Sequence, residues 1–586
     1  MHRYFLAALL ITVGACAPAA VAPVPEQPTP VVQLDPDALI DSLPLRDRIA
    51  QLVMAWIPGT YASFDDVSLT RAEQWVDSLK VGGIIVSIGS PLDIAAKLNY
   101  LQEHSPLPLL VASDLEAGTA IRFNGGTPFP TNMGVGATGR ELDAYEMGRI
   151  TALEGRAVGI HLAFAPVADV NNNPANPIIN TRSFGEDPHA VARLVAAEVR
   201  GIQEHGMLAT AKHFPGHGDT GTDSHLALPV INSDWPRLDS VELVPFRAAV
   251  DAGVDAVMSG HIALPAIDTG VVRPGTLSPV ILTGLLRDSL GFKGLAVTDA
   301  LDMGALVNTY GAGEAAVLAF LAGTDILLQP ADPAVAIDAM EQAVRSGRIS
   351  EERLNRSVRK VLELKRRLGL GRRRTVSLDS IPAVVGRAEF QEIARDVSAR
   401  SIVLARDSGG AVDSLRQGPR PVTIIAYGGD NSSSVGSGLA AGLRARGYGV
   451  TMFRLYPSSG PASYDSVRVL LSRGGTALFA TSVRVAAWRG SVALPEPLAQ
   501  LIDGAALLQP VVLLSFGSPY IISQTPHVGS YLLAWTSNSF TEAAAAAALS
   551  GAAITGRLPI HVPPDLPLGA GLQRPALTST TPGNAK

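Results

Sequence analysis

Cysteine is nearly missing from this chain: of 586 residues one is Cys, Cys16, close to the start. A single thiol excludes an internal disulfide framework and any zinc site built from paired cysteines. Charge is also thin, at 17% of residues with a net of −6, so no basic footprint for nucleic acid is present. Beyond the extreme N-terminus no run of 18 or more apolar residues reads as a membrane span. The Ala-rich stretch 542–549 is too short and is expected to be a buried helix. What the chain has in quantity is apolar residues, 47% of the total, spread over a length that exceeds one core. Two globular domains are expected.

The lone cysteine has a telling setting. Met1-His2-Arg3 is a short basic start, 4–13 is apolar, and Val13-Gly14-Ala15 precedes Cys16. This pattern reads as a signal peptide over 1–15, and Val-Gly-Ala-Cys resembles a bacterial lipobox whose cysteine becomes lipidated after cleavage. The Pro/Ala/Val-rich segment 16–36 then reads as a tether lifting the folded part off a membrane. The expected location is outside the cytoplasm, held on a bacterial membrane by Cys16.

From 37 to 370 apolar strands alternate with amphipathic helices. Strand candidates are 83–87, 107–113, 162–170, 207–211, 256–260, 295–298 and 325–329. Their unbroken apolar runs indicate strands covered on both faces, hence parallel. The repeat predicts an α/β architecture, a (β/α)8 TIM-like barrel, although only seven strands can be named. A linker over 371–393 leads to a second α/β unit, 394–566, with strands at 422–426, 449–453, 477–481, 511–514 and 531–534. That unit predicts a doubly wound αβα sandwich. The Pro/Thr-rich residues 567–586 read as a flexible tail. The glycines at 428–438 lack G-x-G-x-x-G spacing and read as a plain turn. The basic segment 358–375 keeps helical apolar spacing and reads as a solvated helix face.

Chemistry concentrates in one segment. Lys212-His213-Phe214-Pro215-Gly216-His217-Gly218-Asp219, continuing to Asp223-Ser224-His225, places three histidines, two aspartates and a lysine in 14 residues. Gly and Pro break any helical or strand period, so a rigid polar loop is expected. Other polar residues also follow apolar strands: Asp114, Arg182, His261 and Asp299. In a barrel the strand C-termini share one face, so these groups are expected to meet there. A carboxylate such as Asp299 can attack an electrophilic carbon, as in glycosyl transfer through a covalent sugar intermediate. His225 can supply the proton, with Asp223 orienting its ring. Asp302 is a rival nucleophile but reads better as a helix-start residue. No standard zinc spacing occurs, and Lys212 would oppose a cation, so neither metal nor cofactor is expected.

The run KHFPGHGDTGTDSH resembles the signature of exported bacterial β-N-acetylglucosaminidases of glycoside hydrolase family 3. Further marks follow: Asp114-Leu115-Glu116 with Arg122, Asn176-Pro177 with Arg182-Ser183-Phe184, Met258-Ser259-Gly260-His261, Val297-Thr298-Asp299, Ser515-Phe516-Gly517-Ser518-Pro519-Tyr520 and Gly556-Arg557-Leu558-Pro559. The resemblance implies Asp299 as nucleophile, His225 as general acid/base and Asp223 as its partner. It implies that Asp114, Arg122, Arg182, Lys212 and His213 bind the sugar at the non-reducing end, and that the substrate is a carbohydrate, namely peptidoglycan fragments. Where such relatives carry Gly-Gly after the Glu, this chain has Ala117-Gly118, which bears on substrate fit. Alternatives are a β-glucosidase or a phosphorylase of the same family, or a cell-wall-binding lipoprotein without catalysis.

Overall fold

Eight short strands, each buried along nearly its whole length, build the first domain: β1 Val53–Ile57, β2 Gly83–Val86, β3 Leu110–Ser113, β4 Leu162–Ala163, β5 Leu208–Phe214, β6 Ala256–Ser259, β7 Leu295–Thr298 and β8 Leu327–Leu328. The computed structural model describes residues 32–577, apart from 271, 430–432 and 486–491. The proposed signal peptide and Cys16 therefore lie outside the described residues. All eight strands pair in parallel in the order β7-β6-β5-β4-β3-β2-β1-β8. The ring is closed by a bridge between Val297 and Ile326. This is the TIM-like barrel that the apolar runs predicted, and the missing strand is β1.

Two sequence expectations about these strands need correction. Residues 162–170 were expected to form one long strand, but only Leu162–Ala163 pairs continuously, because Pro166 has no N–H to donate to a ladder. Conversely β5 continues to Phe214, so Lys212 and His213 are the end of a buried strand rather than the start of a loop.

The second domain holds a six-stranded sheet: β9 Val403–Asp407, β10 Pro421–Tyr427, β11 Gly449–Leu455, β12 Thr476–Thr481, β13 Val511–Ser515 and β14 Ser530–Leu533. Its order is β11-β10-β12-β13-β14-β9, parallel except for the antiparallel edge strand β9. The glycines at 428–438 lead into the helix Ser437–Arg444. Its first N–H groups, those of Gly436, Gly438 and Leu439, all donate to the carboxylate of Glu542 at 2.7–3.1 Å. A protein anion thus occupies the place a phosphate would take.

Both presumed loose ends are partly fixed. Of the expected tether, Val32 donates to Gly371 O at 2.8 Å, and Asp35 caps the helix Pro36–Ser42. Of the expected tail, Leu572 donates to Leu404 O at 2.8 Å and Arg574 pairs with Asp413 at 2.6 Å. The basic segment forms the end of the helix Glu351–Arg367. Its cations are not simply solvated: Lys360 pairs with Asp325 at 3.2 Å, and Lys365 is fully buried.

Candidate active site

The strand C-termini open into a cavity of about 510 Å³. Asp114, Arg122, Arg182, Lys212, His213, His225 and Asp299 all line it. They come from four places on the barrel rim, after β3, after β4, at the end of β5 and beyond it, and after β7, which is why residues up to 185 positions apart in sequence meet. Asp223 stands directly behind His225.

A charge-locked cluster forms one wall. Arg182 makes a two-pronged pair with Glu116, Nε–Oε2 2.9 Å and Nη2–Oε1 2.8 Å. Lys212 Nζ lies 2.8 Å from Asp114 and 2.7 Å from Glu116, and Arg122 reaches Asp114 at 3.2 Å. Burial favours the neutral form of Asp114, Glu116, Arg182 and Lys212, but the opposed charges outweigh it. Asp114 is lowered, Glu116 is held well below the usual carboxylate range, and Lys212 is raised. These four stay ionised at neutral pH, with cation and carboxylate edges facing the cavity, where they can hold sugar hydroxyls by charge-assisted hydrogen bonds.

Asp299 faces this wall. Its amide donates to Ser259 O at 3.0 Å, and its Oδ1 accepts from the Ala300 N–H at 2.8 Å. Burial pushes its carboxyl up, yet the imidazoles of His213 and His261 and the Ala300 amide prevail and lower it. His261 does not line the cavity. Its Nε2–H donates to Ala300 O at 2.9 Å and its Nδ1 meets Thr276 Oγ1 at 2.8 Å, which braces the peptide that in turn fixes Asp299.

The proton-transfer pair is short and local. His225 Nδ1 lies 2.8 Å from Asp223 Oδ1, and the same oxygen accepts the His225 N–H at 2.9 Å. With Nδ1–H donating to a carboxylate, Nε2 is the nitrogen that carries a transferable proton. Asp223 is buried, while the His225 side chain is 26% exposed at the cavity edge. The loop between is stiffened by His217, whose ring touches Thr220 Oγ1 at 2.9 Å and Ser224 Oγ at 3.0 Å. Burial lowers the His217 pKa to about 4, so it is a neutral brace.

Sequence reasoning missed several members. Asp169, fully buried, accepts from His213 Nδ1 at 2.7 Å and from the His217 N–H at 2.7 Å, tying the β4 and β5 loops together. Its signal was a lone charge inside the apolar run 162–170. Asp302 was expected to start a helix. The helix Gly304–Tyr310 instead takes Met303 as its N-cap, and Asp302 lines the cavity and accepts from Gln329 Nε2 at 2.8 Å. Val485, on the loop after β12, is the second domain's contribution among the described lining residues. That domain therefore places no described carboxylate in the cavity.

The family comparison settles the lineage. Residues 44–364 match the Glycosyl hydrolase family 3 N terminal domain. The chain belongs to this family. A "Beta-N-acetylglucosaminidase/beta-glucosidase" of Cellulomonas fimi is 32% identical over 500 residues, 81% of this chain and 87% of that protein. A "Beta-hexosaminidase A" of Pseudoalteromonas piscicida is 34% identical over 58% of this chain and 60% of its own length. Among solved structures, a glycoside hydrolase family 3 β-N-acetylglucosaminidase from Paenibacillus sp. is similar at a TM-score of 0.80 and 35% identity, covering 89% of this chain and 99% of that one. A β-glucoside phosphorylase bound to 2FGlc also reaches 0.80, at 25% identity, over 90% of this chain and 96% of that one. The family 3 expectation thus holds, together with the two-domain fold, and the chain is a glycoside hydrolase.

Proposed function

We propose that this family 3 hydrolase is a retaining exo-β-N-acetylglucosaminidase that releases terminal GlcNAc from peptidoglycan fragments. The observation carrying it is the pairing, in one cavity, of Asp299 with a His225–Asp223 dyad. Asp299, ionised and aimed into the site, attacks the anomeric carbon and displaces the leaving oxygen, which takes the proton from His225 Nε2. A glycosyl-aspartate results. His225, now neutral, then draws a proton from water as the water attacks the same carbon and frees Asp299. The charged wall with Asp114, Arg122, Arg182 and Lys212, and His213 beside it, holds the sugar. The absence of a described second-domain carboxylate from the cavity supports His225 as the acid, and the names of the Cellulomonas and Paenibacillus relatives support an N-acetylated substrate. A histidine also avoids the repulsion that a carboxylate acid would exert on the lactyl carboxylate of N-acetylmuramic acid. Export and lipid anchoring through Cys16 would place the enzyme beside such fragments.

Incubating the full-length chain with p-nitrophenyl N-acetyl-β-glucosaminide and the matching glucoside tests this reading. Release from the N-acetylated substrate, first as the β-anomer and absent in Asp299→Asn, is expected. Cleavage of the glucoside alone would sink the dyad argument. The likeness to a β-glucoside phosphorylase favours a second reading, transfer to phosphate. Accumulation of GlcNAc 1-phosphate when phosphate is added would establish it. GlcNAc–GlcNAc disaccharides cleaved as well as GlcNAc–MurNAc would remove the lactyl argument.

A further inference from the structure

The chain is poor in aromatics, at 5%, and most of those described are buried or half-buried. Among the described residues four aromatic side chains are exposed, Trp56, Tyr61, Phe64 and Trp235, and three of these fall in one nine-residue stretch that begins on β1. Trp56 is the informative one. It is the single exposed position of β1, 41% exposed between neighbours at 1%.

The register tells where its ring points. Trp56 sits beside Ile85 on β2, while Met54 sits beside Leu328 on β8. Laterally paired residues share a face, and side chains two apart along a strand share it too. Ile85 and Leu328 both line the catalytic cavity, so Met54 and Trp56, which do not themselves line it, share with them the face turned to the barrel axis. Trp56 is the upper of the two, at the rim. The next rim position carries a polar pair. Gln329 adopts the left-handed region, with φ +46°, that a non-glycine residue rarely accepts. Its N–H is held by Met54 O at 2.7 Å, and its side chain is aimed at Asp302 at 2.8 Å. Strain of this kind is retained where the surroundings over-determine a side chain, often at ligand contacts.

The layout separates two depths. The charged wall on the β3–β5 side holds Lys212 at 2% side-chain exposure, deep enough to seat the sugar that Asp299 attacks. Gln329 and Asp302 line the mouth on its β7–β8 side, and Trp56 stands on the neighbouring β1, outside the lining itself and 41% exposed. An apolar ring beside a fixed amide–carboxylate pair is the chemistry that takes a second sugar: the ring covers its C–H face, and the polar pair takes its hydroxyls.

We propose that Trp56, with the Asp302–Gln329 pair, is the subsite for the leaving-group sugar and sets the preference for a saccharide over a small aglycone. The inference rests on the N-acetylglucosaminidase reading and deepens it. The positive φ also explains why Gln329 was invisible in sequence, where it resembles any strand-end amide.

The test measures kcat/KM of the full-length chain on N,N′-diacetylchitobiose and on methyl N-acetyl-β-glucosaminide, whose methyl group cannot stack. For Trp56→Ala, the ratio of the two values is expected to fall at least about tenfold, with Trp56→Phe restoring most of it. Asp302→Asn, which keeps shape but changes the partner offered to Gln329, is expected to lower the same ratio. Equal losses on both substrates would assign Trp56 to the inner sugar pocket, and an unmoved ratio would show an unused ring. Either result overturns the subsite. A wild-type chain silent on both substrates would instead overturn the N-acetylglucosaminidase reading itself, and the subsite with it.

Discussion

At the scale of single residues, the site divides labour between groups whose charge is fixed and groups free to change it. Asp114, Glu116, Arg182 and Lys212 keep their charges at neutrality, because each carboxylate sits against two cations, so the cluster serves to hold and orient. Asp299 belongs with it in being ionised, but it accepts a hydrogen bond on Oδ1 from a neighbouring peptide only, and it faces open cavity. Asp299→Asn removes the attacking charge with little change of shape. It is expected to cost at least about a thousandfold in kcat while thermal stability stays near wild type. Asp223→Asn acts on proton transfer. The amide turned towards His225 Nδ1 no longer selects the tautomer with Nε2 as proton carrier, and kcat should drop roughly a hundredfold with little change in KM. A KM that moved with kcat would mean that Asp223 shapes the sugar pocket instead.

At the scale of elements, the sequence disclosed strands by apolar content and failed where that signal was diluted. Strand β1 was missed because Val53–Ile57 follows the helix Leu45–Ala50 with only Gln51 and Leu52 between, so the two apolar periods merge. Strand β9 was missed for the opposite reason: an antiparallel edge strand ending in Arg406 and Asp407 looks half polar. The residues around the cavity were largely legible, because each follows a strand and carries charge. Asp302, Gln329 and Trp56 were not, since their roles depend on lateral register and backbone conformation. The helix Glu351–Arg367 shows the same limit. Its basic run hides one lysine that points inward: Lys365 is buried, donates to Gln51 Oε1 at 2.8 Å, and its pKa falls to about 7 through burial. In the unfolded chain the same group titrates near 10.4. Between these values the unfolded state binds more protons, so this lysine makes stability rise with pH from about 7 to about 10. Lys365→Met should flatten that rise. Melting temperatures of both proteins at pH 7 and 9.5 measure it, and equal slopes would show that Lys365 keeps its proton inside.

At the scale of the whole molecule, the two domains behave as one body because a piece of the barrel is built into the other domain's core. The helix Asn132–Thr138 follows the loop bearing Asp114, Glu116 and Arg122, and its Met133 and Ala137 pack in the core of the second domain. Gly134 on this helix passes so close to Trp535 that a Cβ there would lie 3.0 Å from the indole ring. On the helix's other side, Asn132 Nδ2 donates to Arg182 O at 2.7 Å. Polar ties flank the peg: Asn171 to Tyr520 at 2.9 Å, Asn538 to Phe129 O at 2.9 Å and Arg400 to Asp143 at 2.8 Å. One helix thus links the indole of Trp535 to the backbone of a sugar-wall arginine. Thermal unfolding is accordingly expected as one transition. Trp535→Ala, which empties a fully buried site, should lower stability by about 3–5 kcal/mol. If the helix also transmits position, the same variant, assayed well below its melting point, should raise KM several-fold while kcat changes less, because Arg182 loses part of its support before Asp299 loses any. Two separate transitions in calorimetry, or a destabilised variant with unaltered KM, would show instead that the second domain only leans on the barrel and leaves the sugar wall to hold itself.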